Sequence, residues 1–456
     1  MDVTLLPAHK QAALIAGRDI SARELLELVV ARHEVVGAVL NAVVVERVDA
    51  ARELARAADE AVVAGAELGA FHGVPVTVKE VIDWVGTPST WGDPRHANYM
   101  PHRNAAVLDR LFASGAVVWG KTNVPLGLGD WQTHNEIYGR TNNPFDPTRT
   151  AGGSSGGSAV SLAVGLAGLE IGSDIGGSIR FPAHYCGVYG HKPSFATVPA
   201  AGHTYPGQAA DVDINVVGPM ARSARDLETA MQLLAERVLV TENRDSLADF
   251  TVGVMFENPC GGEQDDEMTA VLEATVESLI RAGVTVSRAP QRVEHVRAQQ
   301  NYLLLNYTAT SLMTKAEHVE HVSHNIWLQL ANERQRIRDT WSEYFDEVDL
   351  LLCPVAASAA PLHQTEVPFS EQTIQVNGRE TSNQDQWFWA GVASGGYLPS
   401  TAVPVGQTAA GLPIGMQVIA PFAHDLRSIR FADLLEREMG GFVPPPMVSE
   451  LRSRPF

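Results

Sequence analysis

The sequence predicts one large α/β domain that carries a more helical insert. The chain has 456 residues, 45% of them apolar and 19% charged, enough to bury a large core and inconsistent with general disorder. Two short β-branched runs, 74–78 and 115–119, flank a helical pattern at 105–114, which reads as a βαβ unit. Helix and strand patterns then keep alternating to residue 254 and resume at 350–355 and 412–419, with no repeat or linker between them.

Residues 1–68 read as a helical segment packing on a core that runs from 69 to 456. Ser21-Ala22-Arg23-Glu24 is a capping box, in which serine and glutamate each satisfy a free amide at a helix start. Leu25, Leu26, Val29 and Val30 follow at helical spacing, and 49–66 is a second, alanine-rich helix. Residues 139–157 hold five glycines and two prolines without apolar periodicity, so a structured loop is expected there. A buried helix of small residues is expected at 158–169, another helix near 223–237 and a strand at 251–254. Residues 265–345 form the helical insert, rich in charges and aromatics.

The net charge of −19 argues against a nucleic-acid or anionic-membrane surface as the partner. Cys186, Cys260 and Cys353 are too few for a disulfide framework and fit a reducing compartment. The N-terminus shows no basic region followed by an apolar run, so no signal peptide is expected, and a cytoplasmic protein follows. Arginine supplies 29 of the 34 basic residues. The five lysines (Lys10, Lys79, Lys121, Lys192 and Lys315) thus invite the question of what arginine cannot do, such as giving up a proton.

Three motif matches fail on context. Gly115-Ala116-Val117-Val118-Trp119-Gly120-Lys121-Thr122 fits a phosphate-binding loop by letter, but its middle is strand-like and Pro125 follows. His318, His321 and His324 recur every three residues, a spacing that drifts around a helix, so a solvated face is expected rather than a metal site. Gly152-Gly153-Ser154-Ser155-Gly156 fits a nucleophile elbow, yet loop precedes it where that elbow needs a strand.

The glycine–serine density resumes at Gly172-Ser173-Asp174-Ile175-Gly176-Gly177-Ser178. Successive amides of Ile175, Gly176, Gly177 and Ser178 would curl into a nest for a developing oxyanion. Lys79 ends the 74–78 strand, where desolvation would lower its pKa and free an amine to act as base. Two serine–glycine loops within 25 residues and a strand-end lysine together point to acyl transfer.

These residues resemble the amidase signature enzymes. The likeness runs through Gly73-Val74-Pro75-Val76-Thr77-Val78-Lys79-Glu80, Tyr138-Gly139-Arg140-Thr141-Asn142-Asn143-Pro144, both serine–glycine loops and Gly187-Val188-Tyr189-Gly190-His191-Lys192-Pro193. The resemblance implies a central mixed β-sheet flanked by helices; no cofactor is expected, and no metal, since the sequence offers no convincing ligand cluster. It implies Ser178 as nucleophile, Ser154 as bridging serine after a cis Gly153–Ser154 bond, and Lys79 as base. It further implies an oxyanion site at residues 175–178, with Ser155, Asp174 and Arg180 in support. Leu128, Gly129, Trp131 and Tyr397 are the substrate-contact candidates, and Trp387 and Trp389 add to an aromatic or apolar pocket. Departures from the family pattern at His191, at 194–199 and at 394–399 are expected around the entrance and acyl pocket. The expected activity is hydrolysis of a small amide, ester or carbamate by a monomer or homodimer. The alternative is the glutaminase component of a tRNA-dependent amidotransferase.

Overall fold

The computed structural model describes residues 2–288, 293–311 and 322–451. Eleven strands form one mixed sheet: β1 (Val43–Glu46), β2 (Pro75–Lys79), β3 (Val117–Thr122), β4 (Leu169–Asp174), β5 (Tyr189–Lys192), β6 (Val216–Ala221), β7 (Thr251–Val254), β8 (Thr285–Arg288), β9 (Leu350–Pro354), β10 (Ser400–Gln407) and β11 (Pro413–Ile419). Their spatial order is β1-β3-β2-β4-β6-β5-β10-β11-β9-β7-β8. β3-β2-β4 and β9-β7-β8 are parallel, and the remaining neighbours are antiparallel. The expected α/β architecture with a central mixed sheet flanked by helices is the one observed.

The helix Ala22–Leu40 starts on the expected capping box: Ser21 accepts from Glu24 N, and the Glu24 carboxylate accepts from Ser21 N. Within the segment read as helical, Val43–Glu46 is instead an edge strand paired with β3. Gly120 allows that approach, since a Cβ there would lie 2.7 Å from Val43 Cγ1 and 2.9 Å from the Val45 carbonyl. From Val117 the phosphate-loop lookalike is continuous strand through Thr122, and Lys121 is buried against the Pro88 carbonyl and Ser89 Oγ. The small-residue helix is shorter than expected, Gly156–Ala163, and Leu169–Asp174 is strand β4.

Period-2 alternation on β2 sets up the site. Val76 and Val78 enter an apolar core shared with Leu169 and Ile171 of β4. Thr77 and Lys79 point the other way, toward the helix Gly156–Ala163, where Thr77 Oγ1 meets Ser161 Oγ at 2.9 Å. His324 begins the helix His324–Phe345 and stacks on Trp327, whereas His318 and His321 lie outside the described residues. Among the described residues, no group of three or more His, Cys, Asp or Glu side chains could hold a metal ion. No described helix is long and apolar enough to cross a membrane.

Candidate active site

Lys79 ends β2 completely buried, with Nζ 2.6 Å from Ser154 Oγ and 2.9 Å from Ser173 Oγ. Burial pulls its pKa down to about 7, against the opposing pull of the Asp174 and Glu170 carboxylates. Ser154 follows a cis peptide bond from Gly153 and lies just before the helix Gly156–Ala163. The two serine–glycine loops are tied together: Ser155 N donates to the Ser178 carbonyl at 3.1 Å, and Ser155 Oγ sits 3.4 Å from both the nitrogen and the carbonyl oxygen of Ser173.

Asp174 organises the second loop. Its carboxylate accepts from the amides of Gly177 (2.9 Å), Ile179 (3.1 Å) and Arg180 (3.4 Å), and from Arg180 Nε (3.0 Å) and Nη2 (2.8 Å). Burial alone would raise its pKa, but the Arg180 guanidinium, together with Lys192 and the Ile179 amide, holds it at about 2. Arg180 in turn donates to the Ala390 carbonyl, Gln417 Oε1 and Ser394 Oγ, which anchors the loop to the far half of the sheet. The Gly177 amide is thus committed to Asp174, which leaves Ile175, Gly176 and Ser178 to face the cavity they line.

Replacing Asp174 with alanine strands a buried guanidinium, so a loss of about 3–5 kcal/mol in unfolding free energy is expected. The wild-type contribution has a defined pH window. The unfolded carboxyl binds its proton near 3.8 and the folded one near 2, so stability falls as pH drops through that interval. Urea melts of wild type and Asp174→Ala at pH 7 and pH 2.5 check both the size and the narrowing of the gap.

A cavity of about 700 Å³ opens beside Ser178. Leu128, Gly129 and Trp131 line it as expected, joined by Trp387. Tyr397 is not among its lining residues; it stacks on Phe195 with ring centroids 4.3 Å apart, lies beneath Arg334 and donates to Asp213. Trp389 belongs to a separate apolar cluster. Two of the departures expected around the entrance, His191 and Ser194, lie elsewhere as well. His191 bonds Thr401 Oγ1 and Asp425, and Ser194 donates to the same Asp425, in a buried network behind β5 and β10.

Sequence reasoning missed Ser173 as the second hydroxyl on Lys79, although it sits beside Asp174 in the motif. It also missed Glu170, wholly buried, whose pKa is pushed up to about 7 by burial and whose Oε1 accepts from Thr122 Oγ1 at 2.8 Å. His203 lines the cavity too; burial and then the nearby Lys79 charge bring its pKa down to about 3, so the ring is neutral.

A buried lysine on a serine, and a second serine on an arginine-braced turn beside a cavity, form an arrangement able to carry out acyl transfer. The family model described as Amidase matches residues 24–321 and 304–428, and the chain belongs to the amidase signature family. It is an amidase-type hydrolase of that family. Its relatives include an indoleacetamide hydrolase from Bradyrhizobium diazoefficiens, 29% identical over 466 residues (94% of this chain and 86% of that protein). One component of the glutamyl-tRNA(Gln) amidotransferase of an Anaeromyxobacter species is also 29% identical, over 97% of this chain and 98% of that one. The crystal structure of a bacterial aryl acylamidase superposes with a TM-score of 0.82 at 25% identity, covering 99% of each chain.

Proposed function

We propose that the protein hydrolyses a small, largely apolar amide through an acyl-enzyme formed on Ser178. Neutral Lys79 takes the proton of Ser154, which takes that of Ser178, and the Ser178 oxygen attacks the carbonyl. The amides of Ile175, Gly176 and Ser178 receive the developing oxyanion. The relay then reverses, so that protonated Lys79 supplies the proton the leaving amine needs. Water enters and the same base activates it to release the acid. The observation that carries this reading is the 2.6 Å contact between a wholly buried Lys79 and Ser154, beside a cavity lined by Ser178.

The cavity's Trp91, Trp131 and Trp387 support an aryl or alkyl amide, and activated esters and carbamates fit the same chemistry. The reading carries a cytoplasmic monomer or homodimer that works without nucleic acid, supported by the acidic charge and the three free cysteines. The likeness to an amidotransferase component keeps a glutaminase as the competing reading. Turnover of a panel of anilides, nitrophenyl esters, carbamates and glutamine separates the two. The expected result is anilide hydrolysis well above glutamine hydrolysis by the isolated chain, and glutamine as the best substrate would reverse the choice.

A further inference from the structure

The cavity beside Ser178 holds a carboxylate that lacks a cationic partner among the described residues. Among the described residues, three charged ones line the cavity there: Asp93, Arg95 and Asp130. Asp93 and Arg95 neutralise one another through paired hydrogen bonds, and Tyr205 donates to Asp93 as well. Asp130 has no Lys or Arg partner among the described residues. Its carboxylate accepts from neutral donors, Gln132 N at 2.9 Å and Gln372 Nε2 at 2.8 Å. With the Trp131 amide as a third neutral donor, one of its four lone-pair directions remains for a further donor.

The same cavity is lined by a wall of three aromatic rings. Trp131 lies 4.8 Å from Trp387 and 5.1 Å from Phe369 between centroids, and Phe369 lies 6.0 Å from Trp387. All three rings line the cavity, and Trp387 and Phe369 are half-buried, leaving ring surface toward it. The wall is fixed to the reaction centre. Trp131 Nε1 donates to the Gly176 carbonyl at 2.8 Å, and a Cβ on Gly176 would meet Trp387 Cζ3 at 2.5 Å. The Asp130 backbone is fixed there too, since a Cβ on Gly153 would come within 2.3 Å of its carbonyl oxygen. A carboxylate next to aromatic faces is the chemistry that holds an ammonium: ring quadrupoles attract the cation and the carboxylate accepts its protons.

We propose that the substrate is an amide bearing a cationic nitrogen, seated between the Asp130 carboxylate and the Trp131–Trp387–Phe369 wall. This rests on the amide-hydrolase reading above. Burial pushes the Asp130 pKa up to about 6, so the carboxylate is ionised at pH 8, where primary amines remain protonated. His203, also lining the cavity, is neutral at that pH and adds no competing charge.

The test uses two readouts on the full chain at pH 8. The first is calorimetric binding of hexylammonium against hexanol, which needs no turnover. Wild type is expected to hold the ammonium about tenfold more tightly, and Asp130→Asn to bring the ratio near one. The second is kcat/KM for matched 4-nitroanilides whose chains end in ammonium or methyl, with the charge on the acyl side in one pair and on the aniline side in another. A cation preference in either pair that shrinks in Asp130→Asn supports the proposal. Equal binding of alcohol and ammonium by wild type, or a preference that Asp130→Asn leaves unchanged, overturns it. Ammonium binding without hydrolysis of any amide would remove the hydrolase reading and leave the cation site standing. Hydrolysis without cation preference would do the reverse.

Discussion

Ser178→Ala is expected to reduce amide turnover at least about a thousandfold while leaving the melting temperature close to that of wild type. The side chain is buried at the cavity edge, and its main-chain carbonyl, which accepts from Ser155 N, survives the substitution. The loop around it is held by Asp174 and Arg180 rather than by its own hydroxyl. Loss of one hydroxyl therefore removes the proposed nucleophile without unpinning the turn. Ser154→Ala should also be severely impaired, because Lys79 then has no hydroxyl at 2.6 Å through which to reach Ser178. Turnover is followed with an anilide under single-turnover conditions, and acyl-enzyme formation by intact mass after a short quench with a slow ester. Retention of substantial turnover, or an acyl group found on another residue of Ser178→Ala, would reassign the nucleophile.

The arrangement of the candidate site was more legible in the chain than the sheet that holds it. Lys79 could be placed because Val74-Pro75-Val76-Thr77-Val78 reads as a strand and lysine is scarce. Both serine loops stood out because their glycines leave amides uncrowded. Several central strands carried no such signal. Tyr189–Lys192 contains His191 and Lys192, both buried, whose polar groups are satisfied by Thr401, Asp425 and the Leu398 carbonyl. A strand buried on both faces and carrying satisfied polar groups shows neither alternation nor a simple apolar run. The start of Leu169–Asp174 merges with the preceding helix pattern because Ala, Leu and Gly serve both states in a short apolar stretch. Ser400–Gln407 hides behind Pro404, which sits at a register shift against β11 where the ladder can spare a donor. Tyr397 misleads for another reason: an aromatic in a glycine-rich turn looks like a pocket residue. Which wall an aromatic faces depends on long-range packing, here against Phe195 and Arg334.

Lys79 carries the prediction with most physical content. In water a lysine amine binds its proton near 10.4 and would be useless as a base at neutral pH. Burial brings this one to about 7, so the wild-type kcat/KM for an anilide should rise with pH through an apparent pKa near 7, and Lys79→Ala should lose that limb. The anilide rate should fall about 10²–10⁴-fold, the range of a positioned acid–base group, and a matched nitrophenyl ester by less, since its leaving group needs no proton. Arginine should not rescue either activity, because guanidinium does not release its proton at working pH. The same shift has a stability signature of opposite benefit. Between about 7 and 10.5 the unfolded lysine holds a proton that the folded one has lost, so wild-type stability rises with pH across that window, and below it the full cost of burying the charge is present. Lys79→Met should therefore melt above wild type at pH 6, with the difference closing as pH approaches 10. Near-wild-type anilide turnover in Lys79→Arg would show that this position supplies charge alone. A pH-independent melting difference in Lys79→Met would show that the buried amine is not the group whose proton is displaced.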